Sequence, residues 1–190
     1  MGRASHRWKM GLLLSGALVG CAPRPAASLP TRVPVSADAS LTPYRAPEGF
    51  AVLMPTTLER KERTEQTVAG AVTTHLAEAK HRTEPVTFTA ASSELPAMAT
   101  AFLGNTGVLD SALDSLVKQL HGTLRSKHAL KMEGVDAVDF TVDSPRGAVM
   151  GRLLLGGGQL YSLTATYPGD RPPPPSIRIF LDSFQRTRDL

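Results

Sequence analysis

The sequence of 190 residues predicts one α+β domain, an antiparallel β-sheet of about six to eight strands with helices packed on its faces. Two observations predict this fold. Short runs after Gly49 alternate apolar with polar residues and end at glycine-containing turns, which is typical of an antiparallel meander. Two later segments repeat apolar residues every three or four positions, which is the period of an amphipathic helix.

Four strands are predicted in the first half of the domain. The first is a short apolar run that ends at a proline. The second is mostly charged and therefore predicts an edge or exposed strand, and the third alternates as a half-buried strand does. The fourth carries Val86, Phe88 and Ala90 on one face. These strands occupy residues 50–55, 58–67, 72–77 and 86–90.

A helix is predicted from Leu109 to Leu120, where the apolar residues form one continuous face. Asp110 and Asp114 fall near its predicted start, where carboxylates complement the helix dipole. Gly122 is predicted to end it. Residues 92–106 contain a proline, a glycine and an asparagine and predict a loop, with a short helix around residues 97–103.

The second half predicts four more strands and a closing helix. The strands lie at residues 126–132, 137–142, 148–155 and 159–167, with turns at Glu133-Gly134 and at residues 156–158. Residues 172–175 are prolines and end the sheet. The apolar residues after them have helical spacing (Ile177, Phe180, Leu181 and Phe184), and Ser176 is predicted to cap that helix.

The amino terminus has the pattern of an export signal. Arg3, Arg7 and Lys9 precede an apolar run that reaches Cys21, and small residues precede a predicted cut. The run is shorter than the roughly 20 apolar residues that span a bilayer. The predicted organisation is therefore a signal peptide at residues 1–20, a tether at residues 21–48 and a folded domain at residues 49–190.

The last residues of this run, Leu18-Val19-Gly20-Cys21, resemble the lipobox of bacterial lipoproteins. The resemblance implies that the Cys21 thiol receives a diacylglycerol and that the signal is cut between Gly20 and Cys21. It also implies a lipid bilayer as the partner of Cys21. Because Ala22 rather than an aspartate comes next, the resemblance implies the outer membrane rather than the inner one.

Composition constrains the chain after the predicted cut. The segment up to residue 48 is rich in proline, alanine and serine and predicts a disordered tether with an end-to-end distance of roughly 30 Å. Removal of residues 1–20 lowers the formal net charge from +4 to +1, so no nucleic-acid partner is predicted. Cys21 is the only cysteine, so the folded part has no disulfide and no thiolate nucleophile.

Several short segments of the domain resemble one family. Residues 50–55, 151–155, 160–163 and 180–184, in that order and spacing, are similar to bacterial PsbP-like domains of unassigned function. The resemblance spans about residues 49–184. It implies a central antiparallel sheet with helices on its faces. The role of the photosynthetic members in oxygen evolution is not carried over to this chain, because no matching ligand residues are visible.

The candidate chemical residues have structural explanations. His75 and His81 share a predicted strand face but lack the third ligand and the tighter spacing of a metal site, and they are interpreted as exposed strand histidines. Asp110 and Asp114 fit a helix start better than a catalytic pair. The three glycines at residues 156–158 lack the ending of a phosphate-binding loop and predict a hairpin turn.

The remaining acidic residues also predict no site. Asp136, Asp139 and Asp143 lie on or beside one strand without the dense oxygen ligands of a calcium loop. Asp182 and Ser183 are predicted to make a structural hydrogen bond to the sheet. The sequence therefore predicts no catalytic residue, no cofactor and no metal site.

The sequence leaves three hypotheses for function. The first is a membrane-anchored, non-catalytic binding or assembly module with an envelope protein as partner. The second is an enzyme whose site is assembled from distant residues, and the third is a small-ligand carrier that uses a groove between the sheet and the helix at residues 109–120. A deep pocket with converging carboxylate and histidine side chains favours the enzyme, and a deep, mainly apolar cavity favours the carrier. A filled core with an exposed apolar patch favours the binding module. The sequence predicts no oligomeric state.

Overall fold

A computed structural model describes residues 41–67 and 70–187. The predicted signal peptide, Cys21 and most of the predicted tether lie outside the described residues. Within the described residues the chain forms ten strands and two helices. They are β1 Leu41–Ala46, β2 Phe50–Pro55, β3 Leu58–Thr67, β4 Gly70–Lys80, β5 Thr87–Glu94, α1 Ala97–Gln119, β6 Thr123–Met132, β7 Val135–Ser144, β8 Gly147–Gly156, β9 Gln159–Tyr167, α2 Pro175–Asp182 and β10 Gln185–Arg186.

Seven of these strands form one antiparallel sheet in the order β3-β4-β5-β9-β8-β7-β6. The predicted fold class is confirmed, since helices pack on an antiparallel sheet. The two halves of the domain meet in the middle of this sheet, because β9 inserts between β5 and β8. The edge strands β3 and β6 are rich in charged side chains, which discourages edge-to-edge pairing with other chains.

A smaller sheet is formed by β1, β2 and β10. The predicted tether boundary at residue 48 is therefore too late, because Leu41 to Ala46 pairs with β2. Leu41 and Ala46 are both buried, so the ends of β1 contribute to the core. Pro43 is tolerated inside β1 because this strand is at the edge of its sheet, where an amide hydrogen is not required.

The two faces of the large sheet are covered by different elements. On one face the side chains of β7 and β8 pack against α1 and include Val138, Phe140 and Leu153. On the other face Phe88, Leu163 and neighbouring side chains pack against α2 and the small sheet. This division results from strand alternation, since successive residues of a strand point to opposite faces.

Helix α1 is longer than predicted. It begins at Ala97, and the residues predicted as a loop with a short helix form its first turns. Gly104 interrupts it with φ 63° and ψ 173°, so the helix consists of two segments that meet at a kink. Asp110 and Asp114 therefore lie in the middle of α1 rather than at its start, and the dipole explanation for them is wrong.

The carboxyl end of α1 is closed by a Schellman motif. The N–H of His121 donates to the carbonyl of Lys118, and the N–H of Gly122 donates to the carbonyl of Val117. His121, rather than the predicted glycine, takes the left-handed conformation, with φ 47°. Gly122 is required for a different reason, because a Cβ there would lie 2.5 Å from Val142 Cγ1.

Helix α2 also begins differently from the prediction. Pro174 is at its cap position and Pro175 at its first turn, where proline is favoured because it lacks an amide hydrogen. Ser176 is therefore inside the helix. Its hydroxyl is buried and donates to the carboxylate of Glu84, which ties α2 to the β4–β5 connection. Phe184 lies beyond the last residue of the helix and is still buried.

The predicted hairpin turns are confirmed. Glu133 and Gly134 connect β6 to β7 with φ 52° and 76°, and Gly157 and Gly158 connect β8 to β9 with φ 63° and 78°. Positive φ at both central positions is the geometry of a type I′ turn, whose twist matches that of the flanking strands.

Candidate functional site

A long groove lies between α1 and the neighbouring strands of the large sheet. Helix α1 packs mainly on β7 and β8. The resulting space of about 440 Å³ is within the range of small-molecule pockets, about 300–1,000 Å³. It is lined by Glu65, Val72, Thr74, Leu76, Thr89, Ala91, Ser93, Leu95, Pro96, Leu103, Val108, Ser111, Ala112, Ser115, Leu116, Gln119, Leu153, Leu160, Ser162 and Thr164. We call this space the α1 groove.

The floor of the α1 groove is formed by side chains of β4, β5 and β9, most of them small. Strand register places Leu76 beside Ala91 and Ala91 beside Ser162, and it places Thr89 beside Thr164. The floor is shallow because strand alternation directs the larger neighbours of these residues into the core on the other face. Small residues on three adjacent strands therefore leave room above the sheet.

Two walls rise from this floor. One wall is α1, which presents Val108, Ala112 and Ser115. The other is the β3–β4 hairpin, which extends beyond the sheet because residues 70–73 pair with β3 and not with β5. Val72 and Glu65 line the groove from this hairpin.

The α1 groove has an apolar end and a hydroxyl-bearing end. Helix α1 runs in the same direction as β7, since Asn105 bonds to Asp136 near the start of β7 and Gly122 contacts Asp143 near its end. Strand β9 therefore also runs parallel to α1. Leu95, Pro96, Leu103, Val108 and Leu160 lie at the amino-terminal end of the helix, whereas Thr89, Ser115, Gln119 and Thr164 lie toward its carboxyl end.

Ionisable groups are scarce in the α1 groove. Glu65 is the one ionisable side chain among its lining residues, and its carboxylate is 2.7 Å from Nη2 of Arg63. The hydroxyls of Thr74 and Ser93 bond to each other across β4 and β5 at 2.7 Å. No general acid faces a general base in this groove, so its lining can bind a molecule but offers no proton-transfer pair.

Two large apolar side chains are exposed beside the apolar end. Phe102 is 78% exposed and Leu103 is 55% exposed, on the last turn before the kink at Gly104. The segment from residue 95 to residue 109 contains no ionisable side chain. Phe102 and Leu103 therefore add exposed apolar surface beside this end of the groove.

His75 on β4 and His81 in the turn after it do not form a common site. His75 lies between two carboxylates, with its Nδ1 3.6 Å from Glu48 and 3.5 Å from Glu62. These residues line a separate polar pocket of about 280 Å³ that also contains Tyr44, whose pKa is raised by burial. Within the residues that the structure describes, no group of three histidine or acidic side chains is arranged to hold a metal ion.

His81 is buried, and its interpretation as an exposed strand histidine is wrong. The chain turns back immediately after β4, so the His81 ring is covered and lies against Phe88 in an edge-on contact at 6.1 Å. Its Nδ1 accepts a hydrogen bond from the backbone N–H of Glu84 at 3.1 Å. His81 therefore shapes the β4–β5 connection.

The predicted acidic candidates form ion pairs on the surface. Asp110 is 2.6 Å from Lys127, and Asp143 is 2.6 Å from Arg125. Asp136 accepts from Lys131 at 2.8 Å and from Asn105 at 2.9 Å, and these two hydrogen bonds, Lys131 first, lower the pKa of its carboxyl. Each of these pairs joins neighbouring elements.

The most connected buried charge, Arg152, is a residue that sequence reasoning did not single out. Its guanidinium donates to both carboxylate oxygens of Asp139, to the carbonyl of Leu181 at 2.9 Å and to Asp182 at 3.2 Å. The hydrogen bonds to Asp139 are the main cause that raises the pKa of Arg152. The sequence signal that could have identified it is a single arginine within the otherwise apolar run 148–155, which predicts a buried charge with a partner.

The predicted structural role of Asp182 and Ser183 is confirmed. Besides the bond from Arg152 to Asp182, the Ser183 hydroxyl accepts a hydrogen bond from the backbone N–H of Leu53 at 2.8 Å. The same hydroxyl donates to the carbonyl of Phe180 at 2.7 Å. The end of α2 is thereby joined to both sheets.

Comparison with known proteins rests on structure rather than sequence. No family model matches the sequence, and no curated protein matches it. The solution structure of cyanobacterial PsbP (CyanoP) from Synechocystis sp. PCC 6803 superposes with a TM-score of 0.54 at 16% identity, covering 78% of this chain and 93% of that one. The fold is PsbP-like.

A second solved structure resembles this chain more weakly. It is a protein of unknown function, PA94 from Pseudomonas aeruginosa, described as a putative regulator, with a TM-score of 0.34 at 14% identity over 68% of this chain and 85% of that one. A TM-score below 0.5 carries no argument about this chain. The PsbP-like fold itself identifies no activity, because one fold hosts many functions.

No helix within residues 41–67 and 70–187 is both long enough and apolar enough to cross a bilayer.

Proposed function

We propose that this chain is a lipid-anchored envelope protein whose PsbP-like domain is a non-catalytic binding module for a small apolar or amphipathic ligand. The single observation that carries the ligand-binding part is the α1 groove, about 440 Å³ in volume and lined mainly by apolar and hydroxyl-bearing residues. The largely apolar lining of this groove supports the carrier among the three hypotheses from the sequence.

The composition of the groove supports binding over catalysis. An enzyme that moves protons needs an acid or base near the reacting atom, with a pKa suited to the task. The α1 groove offers only Glu65, which is already paired with Arg63. Hydroxyls and apolar side chains hold and orient a ligand without activating it.

Anchoring at the membrane is the second part of the proposal. It is supported by the lipobox-like motif at residues 18–21 and by the basic residues ahead of it. In this proposal Cys21 carries the diacylglycerol, residues 22–40 tether the domain, and Ala22 directs the protein to the outer membrane. Stable anchoring takes two or more acyl chains, since one chain binds only marginally.

Ligand binding is tested with Nile red, whose fluorescence rises in apolar surroundings. Ser115 is exposed on α1 and faces the groove, so Ser115→Trp should fill the space and weaken Nile red binding at least about ten-fold. Asp114→Trp is the matched control, because Asp114 is also exposed on α1 but does not line the groove. Equal binding by both variants would contradict a ligand site in the α1 groove.

Anchoring is tested by fractionation and mass spectrometry. Cys21→Ser should move the protein from the membrane fraction to the soluble envelope fraction. Mass spectrometry of the wild-type mature amino terminus should show a diacylglycerol on Cys21. An unmodified cysteine at that terminus would overturn the anchoring proposal and leave the groove proposal untouched.

A further inference from the structure

The two ends of the α1 groove suit different parts of one ligand. The apolar end is formed by Leu95, Leu103, Val108 and Leu160, and it opens beside the exposed Phe102. The opposite end carries hydroxyls on the floor and on the helix. The hydroxyls of Thr74 and Ser93, level with Leu160, bond to each other. A molecule that lies along the groove therefore meets mainly apolar side chains at one end and hydroxyls at the other.

The hydroxyls at the second end are available to a ligand. Thr89 and Thr164 are cross-strand neighbours on β5 and β9, and Ser162 is two residues before Thr164 on the same face. Their hydroxyls make no side-chain hydrogen bond to another residue in the described part of the chain, unlike those of Thr74 and Ser93. A hydroxyl both donates and accepts, so it can bond to an alcohol, ester or amide group.

The charges around the groove select against an ionised headgroup. No lysine, arginine or histidine lines it. Glu65 pairs with Val72 on the hairpin, toward the end that contains Leu160, whereas Glu78 is two residues after Leu76 on β4, directly beside Thr89. Both carboxylates already have cations nearby, Arg63 at 2.7 Å from Glu65 and Lys61 at 3.9 Å from Glu78. An anionic headgroup on Thr89 would meet the carboxylate of Glu78, and a cationic one would compete with the Lys61–Glu78 pair.

From these observations we infer that the α1 groove binds a neutral single-chain amphiphile, with its apolar chain toward Leu103 and its uncharged headgroup on the hydroxyls of Thr89, Ser162 and Thr164. The inference rests on the proposed ligand-binding function and names the class of ligand. Charge complementarity decides the class, because burial of an unpaired charge costs far more than burial of a hydrogen-bonded neutral group.

The test compares three ligands that share one chain and differ in the headgroup. The full chain is loaded with Nile red, and the dye is displaced with 1-monooleoylglycerol, oleate or oleylamine below their micelle-forming concentrations. We expect monooleoylglycerol to displace the dye at concentrations at least about ten-fold lower than the other two.

Thr164→Val tests the position of the headgroup. This variant keeps the shape of the side chain and removes the hydroxyl, so monooleoylglycerol should bind about three- to ten-fold more weakly while Nile red binds as before. Thr166→Val is the matched control, because Thr166 is the next residue on the same face of β9 and does not line the groove. A uniform loss for all three ligands in Thr164→Val would indicate a general packing defect and would contradict the headgroup assignment.

The other outcomes separate this inference from the proposed function. If the three ligands bind equally, or if oleate or oleylamine binds best, while Ser115→Trp still blocks Nile red, the groove is a ligand site but the inferred class is wrong. If Nile red does not bind, or if Ser115→Trp does not weaken its binding, both the proposed ligand-binding function and the inferred ligand class are wrong.

A second copy of the chain is the remaining occupant to exclude. If the wild type sediments as a dimer and Phe102→Ser converts it to a monomer that binds more Nile red, the groove is occupied by a second copy and the amphiphile inference is overturned.

Discussion

Arg152 and Asp139 are direct partners on adjacent strands, and the guanidinium of one donates to both carboxylate oxygens of the other. Nε donates to Oδ1 at 2.5 Å and Nη2 donates to Oδ2 at 2.9 Å. The Arg152 side chain is only 6% exposed, and it lies between the sheet and α2. The pair therefore holds a buried positive charge at the point where α2 meets the large sheet.

Removal of Asp139 should destabilise the domain. Asp139→Ala leaves the buried guanidinium without its bidentate partner, and loss of one member of a buried pair costs about 3–5 kcal/mol. Because the Asp139 side chain is 36% exposed, we expect a smaller loss in the free energy of unfolding, about 2–4 kcal/mol. Urea denaturation measures it.

The control is an ion pair at the surface of the same strand. Asp143→Ala removes the partner of Arg125, and both of these side chains are largely exposed, so the loss should stay below about 1 kcal/mol. Equal losses for Asp139→Ala and Asp143→Ala would contradict the role assigned to Arg152.

Gly151 should not tolerate a side chain. It is the cross-strand partner of Phe140, and a Cβ would collide with the Phe140 ring and lie 2.8 Å from the carbonyl oxygen of Leu163. Gly151→Ala should lower the free energy of unfolding by about 1–3 kcal/mol. Phe140→Ala alone should lower it by about 3–5 kcal/mol, because Phe140 is buried.

The double variant isolates the collision with the ring. In a Phe140→Ala background, Gly151→Ala should cost less than it does alone, and part of the penalty should persist because the Leu163 carbonyl is still close. Thermal or urea unfolding of the four proteins gives the coupling. Strict additivity would refute the contact between these two positions.

The end of α1 offers a stabilising substitution. His121 has φ 47°, a conformation that costs a residue with a Cβ about 1 kcal/mol relative to glycine. His121→Gly should therefore raise the free energy of unfolding by about 1 kcal/mol. The melting temperature and the urea midpoint should both increase.

The neighbouring position should respond in the opposite direction. Gly122→Ala places a Cβ against Val142 and 2.6 Å from the carbonyl oxygen of Asp143, so it should destabilise the domain. If His121→Gly lowered stability, the left-handed conformation would not be the dominant cost at this position.

Asp136 should titrate below the ordinary range for aspartate. Its hydrogen bond from Lys131 is the largest cause of the lowered pKa, followed by that from Asn105. A folded-state pKa below the unfolded value of about 3.9 means that the stabilisation is present above about pH 3.9 and is lost as the pH falls through the folded value. NMR titration of the side-chain carboxyl measures the midpoint.

Lys131→Met should move the midpoint of Asp136 upward, because it removes the first of these causes. Lys127→Met is the control, since Lys127 pairs with Asp110 instead. A midpoint for Asp136 that stays unchanged in Lys131→Met would show that the hydrogen bond at 2.8 Å does not control the pKa.

The local features of the fold could be predicted from short patterns in the sequence. Alternation of apolar and polar residues correctly placed Phe88 and Phe140 on buried strand faces. The turns at Glu133-Gly134 and Gly157-Gly158 were predicted from their glycines, which readily adopt a positive φ. Errors arose where a tertiary contact overrode a local signal. Leu41–Ala46 is a strand because β2 pairs with it, although its sequence resembles the proline-rich segment before it.

The candidate site was predicted only in outline. A groove beside the helix at residues 109–120 was among the sequence hypotheses, but its floor could not be identified. Thr89, Ser162 and Thr164 occupy the polar positions of alternating strands, and a strand pattern alone assigns such positions to solvent. The anchoring motif at Cys21 lies outside the described residues and is still a prediction.

The sequence by itself determined most of the strands, the core of each helix, which side of each strand is apolar, and where tight turns fall, because these depend on neighbours within a few positions. Only the tertiary structure decided that β9 inserts between β5 and β8, that Arg152 meets Asp139, and that α1 covers β7 and β8 but leaves β4, β5 and β9 open. The physical reason is that strand order and helix placement depend on pairing and packing between residues far apart in the chain. A period of two or of 3.6 residues carries no information about which distant surface a segment will contact.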